Sequence, residues 1–169
     1  MEYAKHPIEG RKITDELQAT GNLGPAVVKA LLDAGFTVTA LTRIDSTSSV
    51  LPGAKVRKTD YSSPETIAEA FKGQDAVVST IATAGIGQQQ AVVDAAIKAG
   101  VKRFIPSEFG MDTTTITGGA AKILGGKIAL QGVLDKAAKE NEGFSWTGIS
   151  TGMFFDWVRF APPMKPYTC

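Results

Sequence analysis

Residues 19–43 read ATGNLGPAVVKALLDAGFTVTALTR, and the order of residue types in this stretch decides the fold. A small glycine-containing turn precedes Pro25, which the first turn of a helix tolerates. Residues 26–34 carry apolar side chains at helical spacing, and Gly35 follows as a stop signal. Residues 36–42 are short and rich in β-branched types, which is typical of a strand. The stretch therefore predicts a glycine turn, a helix and a strand.

The same alternation of helix and strand continues along the chain. The predicted elements after the first helix and strand are a strand at 55–58, a helix at 63–71, a strand at 76–81, a helix at 88–99, a strand at 103–106, a loop at 111–119, a helix at 122–141 and a strand at 144–149. This pattern predicts an α/β fold with a doubly wound parallel sheet, Rossmann-like. With 169 residues the chain is long enough for one such domain, which we expect at residues 19–157.

The two ends of the chain depart from this pattern. Such a sheet needs a buried apolar strand just before its glycine turn, but residues 11–18 read RKITDELQ, and four of these eight are charged. Burying them without partners would cost several kcal/mol. We therefore expect an incomplete first strand, with 1–18 an atypical N-terminal segment. Residues 162–166 read PPMKP, which indicates that 158–169 form an irregular tail.

The glycine turn matches most of a phosphate-binding template. In Gly-x-x-Gly-x-x-Gly, positions 18, 21 and 24 supply Gln, Gly and Gly. Glycine lets the backbone approach a pyrophosphate, and the N–H groups of the following helix bind the anion. An ordinary strand-to-helix turn is the alternative. The residues that we expect to cradle a nicotinamide dinucleotide are Thr20, Gly21, Asn22, Leu23 and Gly24.

A basic residue stands where NAD-selective folds carry an acidic one. That acidic residue follows the second strand and binds the ribose hydroxyls, whereas this chain has Arg43 there. A guanidinium favours a 2′-phosphate, which predicts NADP, with Ser46 and Ser48 as further donors. The alternative is a solvated arginine at a strand end. Asp60, after the third strand, is a candidate to accept a hydrogen bond from the adenine amino group. The alternative is that it only stabilises a turn.

The loop after the fourth strand is predicted to pass beside the nicotinamide. Ile81 and Thr83 belong to this run of small residues, at the carboxyl edge of the sheet. A flexible loop without a role is the alternative interpretation.

Proton transfer has no obvious tyrosine. None of Tyr3, Tyr61 and Tyr167 has a lysine four residues later, so the Tyr-x-x-x-Lys arrangement of many dehydrogenases is absent. A desolvated lysine can serve instead, and Lys127 is the candidate by position. Helical spacing alone does not separate it from the neighbouring lysines 122, 136 and 139, so a solvated helix face remains the alternative.

Composition argues against several function classes. Eighteen basic against 17 acidic residues give a net charge of +1 and no reason to expect nucleic acid as a partner. No apolar run approaches the roughly 20 residues of a membrane span, and the first residues lack a signal-peptide core, so we expect a cytoplasmic protein. Cys169 and His6 are the single cysteine and histidine, which argues against a disulfide framework or a metal site.

Three stretches together resemble a known family. Residues 19–43, residues 74–110 (QDAVVSTIATAGIGQQQAVVDAAIKAGVKRFIPSEFG) and residues 125–157 (GGKIALQGVLDKAAKENEGFSWTGISTGMFFDW) resemble the isoflavone reductase-like and NmrA-like branch of atypical short-chain dehydrogenases. The likeness covers residues 19–157, and FIPSEFG at 104–110 is its most specific part.

The resemblance implies a function and roles for individual residues. It implies an NADPH-dependent reductase that passes hydride to a small substrate, with aromatic compounds as one class. The glycine turn and Arg43 would hold NADP, Ser107 and Phe109 would line the nicotinamide side, and Lys127 would donate or accept the proton. Two alternatives stay open: a non-catalytic redox sensor that docks on a regulatory protein, and an inactive truncated or misspliced product.

The chain also departs from this family. Reductases of this type usually have an Arg where this chain has Gln131, and a Gly where it has Gln18. They also have an apolar first strand and a C-terminal region that closes over the substrate. We therefore expect that this region is lacking, and that residues 1–18 and 158–169 come from misplaced exon boundaries or an alternative transcript.

Overall fold

The computed structural model describes residues 11–16, 21–81, 85, 87, 89–152 and 154. Within these residues, helices and strands alternate through most of the chain. The strands are β1 (Lys12–Glu16), β2 (Thr37–Arg43), β3 (Lys55–Thr59), β4 (Ala76–Ser79), β5 (Arg103–Ile105) and β6 (Ser145–Trp146). The helices are α1 (Gly24–Asp33), α2 (Pro64–Phe71), α3 (Gln89–Lys98), α4 (Gly118–Ile123) and α5 (Gly125–Glu140).

The six strands form one parallel sheet in the order β3-β2-β1-β4-β5-β6. This order is that of a doubly wound Rossmann-like fold, as predicted. The direction of winding reverses between β1 and β4, and in such sheets ligands bind at the carboxyl ends of the strands beside this point.

The first strand is complete, so the expectation of an incomplete one is wrong. β1 lies at the centre of the sheet and pairs with β2 on one side and β4 on the other. The hydrogen bonds between neighbouring strands are made by backbone groups, so the charged side chains of this segment do not prevent strand pairing. Lys12 is exposed and Ile13 is buried, and the backbone N–H of Lys12 donates to Asp75 Oδ2 at 2.9 Å. β1 therefore belongs to the sheet.

The helix ends follow the predicted signals, with one difference. Ser63 caps α2 by accepting from the N–H of Thr66, and Gly35 ends α1 with a φ of 85°. The helix predicted at 122–141 is instead two helices that meet at Leu124. Two glycines follow Leu124, and glycine favours helix continuation less than any residue except proline.

The core has a larger and a smaller part. The larger cluster packs α2, α3 and α5 against the sheet around Phe71, Phe104 and Leu134, which are each fully buried. The smaller cluster packs α1 against β2 through Val28 and Val38. Packing on this scale fixes α5 against the sheet next to the carboxyl end of β5.

The predicted strand at 144–149 is shorter than expected, since only Ser145 and Trp146 pair with β5. In the part of the chain that the structure describes, no helix is long and apolar enough to cross a membrane.

Candidate functional site

The glycine turn leads directly into α1 at the carboxyl edge of the sheet. Gly24 is the first residue of the helix and is buried, and the N–H groups of Ala26 and Val27 both donate to the carbonyl of Leu23. Leu23 holds the N-cap position and offers no side-chain acceptor. Helix N-termini attract anions. At this end of α1 no N-cap side chain accepts from the first N–H groups, so they are available to an anion.

The other residues of the turn differ in exposure. Gly21 is half-buried and Asn22 is exposed, while Thr20 and Gln18 lie outside the described residues.

Arg43 ends β2 at the same edge of the sheet, as predicted. Its side chain is 71% exposed, and Nε lies 3.6 Å from Asp45 Oδ1. Exposed ion pairs of this kind contribute little to the stability of the fold. The guanidinium can therefore leave Asp45 and bind another anion. The N–H of Ser46 donates to the carbonyl of Arg43, and the N–H of Ser48 donates to Ser46 Oγ. Arg43 at the end of β2 is thus joined by hydrogen bonds to Ser46 and, through Ser46, to Ser48 in the loop that follows.

A second cation that the sequence analysis did not identify joins this loop. Lys58 lies on β3 opposite Thr42 and donates from Nζ to the carbonyl of Ser46 at 3.0 Å. The sequence carried no signal for this contact, because the register that places Lys58 one position before the partner of Arg43 is set by the pairing of β2 with β3. The loop after β2 thus begins at the cation Arg43 and is contacted by a second cation from β3.

Asp60 takes part in a turn. Its Oδ1 accepts from both the hydroxyl and the N–H of Ser62, and these two hydrogen bonds hold the pKa of Asp60 below its usual value. This geometry matches the turn interpretation of Asp60.

The loops after β4 and β5 are tied together at the edge. Ser107 donates from Oγ to the carbonyl of Ile81 at 2.7 Å, and both residues are buried. Phe109 beside them is half-buried, whereas Thr83 lies outside the described residues. The backbone at Gly85 passes so close to Ile81 that a Cβ there would lie 2.6 Å from Ile81 Cγ2. The two segments predicted to flank the nicotinamide therefore lie side by side.

Lys127 differs from the other lysines of its region. It is 9% exposed, whereas Lys122, Lys136 and Lys139 are exposed. Burial lowers the pKa of Lys127 below the usual 10.5, and the negative charge of Glu108 offsets part of this fall. A lysine with a lowered pKa releases its proton more readily than an exposed lysine does.

Glu108 is a site residue to which the sequence analysis gave no role. It follows Ser107 directly after β5 and is 2% exposed. Its Oε2 accepts from Thr113 Oγ1 at 2.8 Å and from Gln131 Nε2 at 3.3 Å. The Gln131 amide also donates to Thr113 Oγ1 at 2.5 Å. Since Gln131 stands one helical turn after Lys127, this network lies on the same face of α5 as Lys127.

Across the described ranges, no three His, Cys, Asp or Glu side chains come together as a metal site.

Comparison with known proteins identifies relatives over most of the chain. Residues 17–166 match the NmrA-like family. The oxidoreductase aprR of Aspergillus flavus is 45% identical over 142 residues, which cover 82% of this chain and 47% of that protein. The isoflavone reductase homolog IRL of Zea mays is 34% identical over 148 residues, which cover 80% of this chain and 46% of that protein.

A solved structure shows the same fold. AtPrR2 with NADP+ and (+)pinoresinol superposes with a TM-score of 0.74 at 26% identity, and the match covers 89% of this chain and 52% of that one. This chain spans about half the length of the curated relatives it matches. The parallel sheet, the glycine turn before α1 and these relatives agree with one another, and the chain belongs to the NmrA-like family.

Proposed function

We propose that this chain provides the NADPH-binding and proton-handling part of a reductase that acts on a small organic substrate, with aromatic compounds as one class. The observation that carries the proposal is the buried Lys127 on α5, one helical turn before Gln131, which donates to Glu108 in the loop after β5. A buried lysine with a lowered pKa, at the edge where ligands of this fold bind, suits general acid–base catalysis.

The residues at the edge fit NADP. The turn from Gly21 to Gly24 and the uncapped N-terminus of α1 suit the pyrophosphate. Arg43 at the end of β2 suits a 2′-phosphate, because it is an exposed cation whose ion pair with Asp45 is weak, and Lys58 adds a second cation at the loop after β2. The assignment of Thr20 and Thr83 to the cofactor site remains a prediction.

The chemistry divides between cofactor and chain. NADPH, when bound, supplies the hydride. Ile81, Ser107 and Phe109 would line the nicotinamide side and keep water out, and the burial of the first two and the hydrogen bond between them support this role. Lys127 would hold a proton at Nζ for transfer to the substrate.

Binding of NADPH is the first test, by calorimetry on the folded chain. We expect saturable binding, and its absence in protein shown to be folded would contradict the proposal.

Turnover is the second test. NADPH oxidation is followed with a panel of aromatic and quinone-like acceptors, in the wild type, in Lys127→Ala and in the exposed control Lys136→Ala. We expect Lys127→Ala to keep binding and lose turnover, with Lys136→Ala unchanged. Binding without turnover on any acceptor would favour a regulatory module that senses the dinucleotide instead.

A further inference from the structure

The loop after β5, residues 106–113, carries Ser107 and Phe109 at the carboxyl edge of the sheet. It belongs to neither helix nor strand, so contacts other than regular backbone pairing must hold it in place. At its start, the N–H of Glu108 donates to the carbonyl of Pro106 at 2.7 Å. The position of the rest of the loop depends on what its side chains and later backbone groups contact.

Two side chains of this loop and one side chain of α5 form a closed set of hydrogen bonds. Thr113 Oγ1 donates to Glu108 Oε2 at 2.8 Å. Gln131 Nε2 donates to both of these atoms, at 3.3 Å to Glu108 Oε2 and 2.5 Å to Thr113 Oγ1. The two hydrogens of the amide and the single hydrogen of the hydroxyl are enough for all three bonds. We call this set of Glu108, Thr113 and Gln131 the loop clamp.

The loop clamp is largely shielded from water. Glu108 is 2% exposed and Thr113 is 4% exposed, while Gln131 is half-buried. Breaking a hydrogen bond in such surroundings leaves a buried polar atom without a partner, which costs more than breaking an exposed one. The hydrogen bond from Gln90 Nε2 to Asp94 Oδ1 on α3 joins the same two kinds of group, but it is exposed.

The loop clamp uses one oxygen of the Glu108 carboxylate. Both donors reach Oε2, whereas Oε1 is buried and has no hydrogen-bond partner among the described residues. The contacts therefore require one acceptor oxygen at this position. Glu108→Gln keeps such an oxygen, whereas Glu108→Leu keeps none at a similar size.

The segment after β6 contacts the same loop through its backbone. The N–H of Gly152 donates to the carbonyl of Gly110 at 2.9 Å, and a Cβ on Gly148 would lie 3.6 Å from Glu108 Cγ. The loop is thus joined to two neighbours, to this segment through backbone groups and to α5 through the side chains of the loop clamp.

We propose that Gln131 is a positioning residue: through the loop clamp it fixes the loop after β5 on α5, and so sets the place of Ser107 and Phe109 relative to Lys127. Lys127 lies on the same helix, one turn before Gln131. Catalysis depends on holding such groups at a fixed separation. The catalytic meaning of this role rests on the proposed function, while the loop clamp itself belongs to the folded chain without cofactor or substrate.

Amide hydrogen exchange of the full chain without cofactor, followed by mass spectrometry, tests the loop clamp. Thr113→Val removes the hydroxyl and Gln131→Met removes the amide, each with little change in size. In both variants we expect residues 107–113 to exchange roughly 3- to 10-fold faster, the factor that one hydrogen bond contributes, while β3 stays unchanged. The matched control is Gln90→Met, which removes the exposed amide on α3 and should leave residues 107–113 unchanged.

Two variants of Glu108 test whether the loop clamp needs an acceptor oxygen. In Glu108→Gln, exchange of residues 107–113 should stay within about 2-fold of the wild type, and in Glu108→Leu it should be as fast as in Thr113→Val. Equal acceleration in the two Glu108 variants overturns the loop clamp. Wild-type exchange in both Thr113→Val and Gln131→Met overturns it as well.

Calorimetry with NADPH tests the positioning role of Gln131. In Gln131→Met we expect NADPH affinity to fall roughly 3- to 10-fold, because binding must first order a loosened loop, while Gln90→Met stays unchanged. Faster exchange with unchanged NADPH affinity overturns the positioning role. A wild-type chain that binds no NADPH, with faster exchange in the variants, keeps the loop clamp and contradicts the proposed function instead.

Discussion

Lys127 lies in a helix with two other lysines, and only contacts across the fold make it different from them. Lys136 and Lys139 are exposed, whereas Lys127 is buried. Hydrophobic periodicity predicts which face of a helix packs against the core. It did not predict that this face of α5 also buries a charged side chain. The family resemblance picked out Lys127, and the structure supplies a physical reason for its special character.

The pH dependence of stability should report the buried state of Lys127. Its pKa is lower in the folded chain than the usual 10.5 of an unfolded one. Between these two values the unfolded chain binds more protons, so the free energy of unfolding rises with pH, by at most about 1.4 kcal/mol per unit. This contribution is complete above about pH 10.5 and is lost as pH falls through the folded pKa.

The measurement is urea denaturation of the wild type and Lys127→Met from pH 7 to 10.5. We expect the stability of the wild type relative to this variant to increase with pH. Lys136→Met, at an exposed position, should show no such trend. A wild-type advantage that stays flat or shrinks as pH rises would show that burial does not lower the pKa of Lys127.

Arg43 should decide between NADPH and NADH. In Arg43→Ala we expect NADPH affinity to fall by about 10- to 100-fold, since a charge-assisted hydrogen bond to phosphate contributes about 1.5–3 kcal/mol. NADH affinity should change little. Calorimetry with both dinucleotides measures this, with Arg103→Ala at the amino end of β5 as the control. An equal fall for both would refute the 2′-phosphate assignment.

At the scale of elements, the site depends on how neighbouring strand ends are tied together. β4 and β5 are adjacent in the sheet, and the hydrogen bond from Ser107 to the carbonyl of Ile81 joins the loops that follow them. The bond links residues 26 apart in the chain. The sequence predicted that the loop after β4 lies at the carboxyl edge of the sheet, but it did not predict this contact.

Removing this tie should affect both stability and binding. Ser107→Ala leaves the buried carbonyl of Ile81 without this donor, which should lower the free energy of unfolding by about 1–3 kcal/mol and weaken NADPH binding. Ser145→Ala is the matched control, because Ser145 Oγ donates to the carbonyl of Lys102 at the opposite end of β5. Urea denaturation and calorimetry give the two values. NADPH affinity reduced equally in both variants would mean that the bond has no local role at the cofactor edge.

At the scale of the whole molecule, the position of β1 determines how the sheet is organised. β1 joins the β2–β3 half to the β4–β5–β6 half, and the reversal of winding that creates the ligand crevice lies beside it. Charged residues made this segment look unsuitable, yet its backbone pairs on both sides and Ile13 is buried.

Truncation of Ile13 tests this central placement. Ile13→Ala should lower the free energy of unfolding by about 2–5 kcal/mol, as expected for a buried isoleucine, which is a large part of the roughly 5–15 kcal/mol stability of a domain. Ile123→Ala, at a residue 75% exposed, should cost little. Urea denaturation compares the two. If Ile13→Ala cost no more than Ile123→Ala, β1 would not be a central strand.

The sequence by itself determined the helix–strand alternation, the glycine turn, the place of Arg43 at the end of β2 and the family. These features depend on local propensity and on short motifs, which neighbouring residues carry on their own. Only the tertiary structure decided that β1 completes the sheet, that Lys58 contacts the loop after Arg43, and that Lys127 is buried on α5 one turn before Gln131, the partner of Glu108. Each of these depends on contacts between residues distant in sequence, such as Glu108 and Gln131, and the free energy of burial and pairing is set by the packed neighbours.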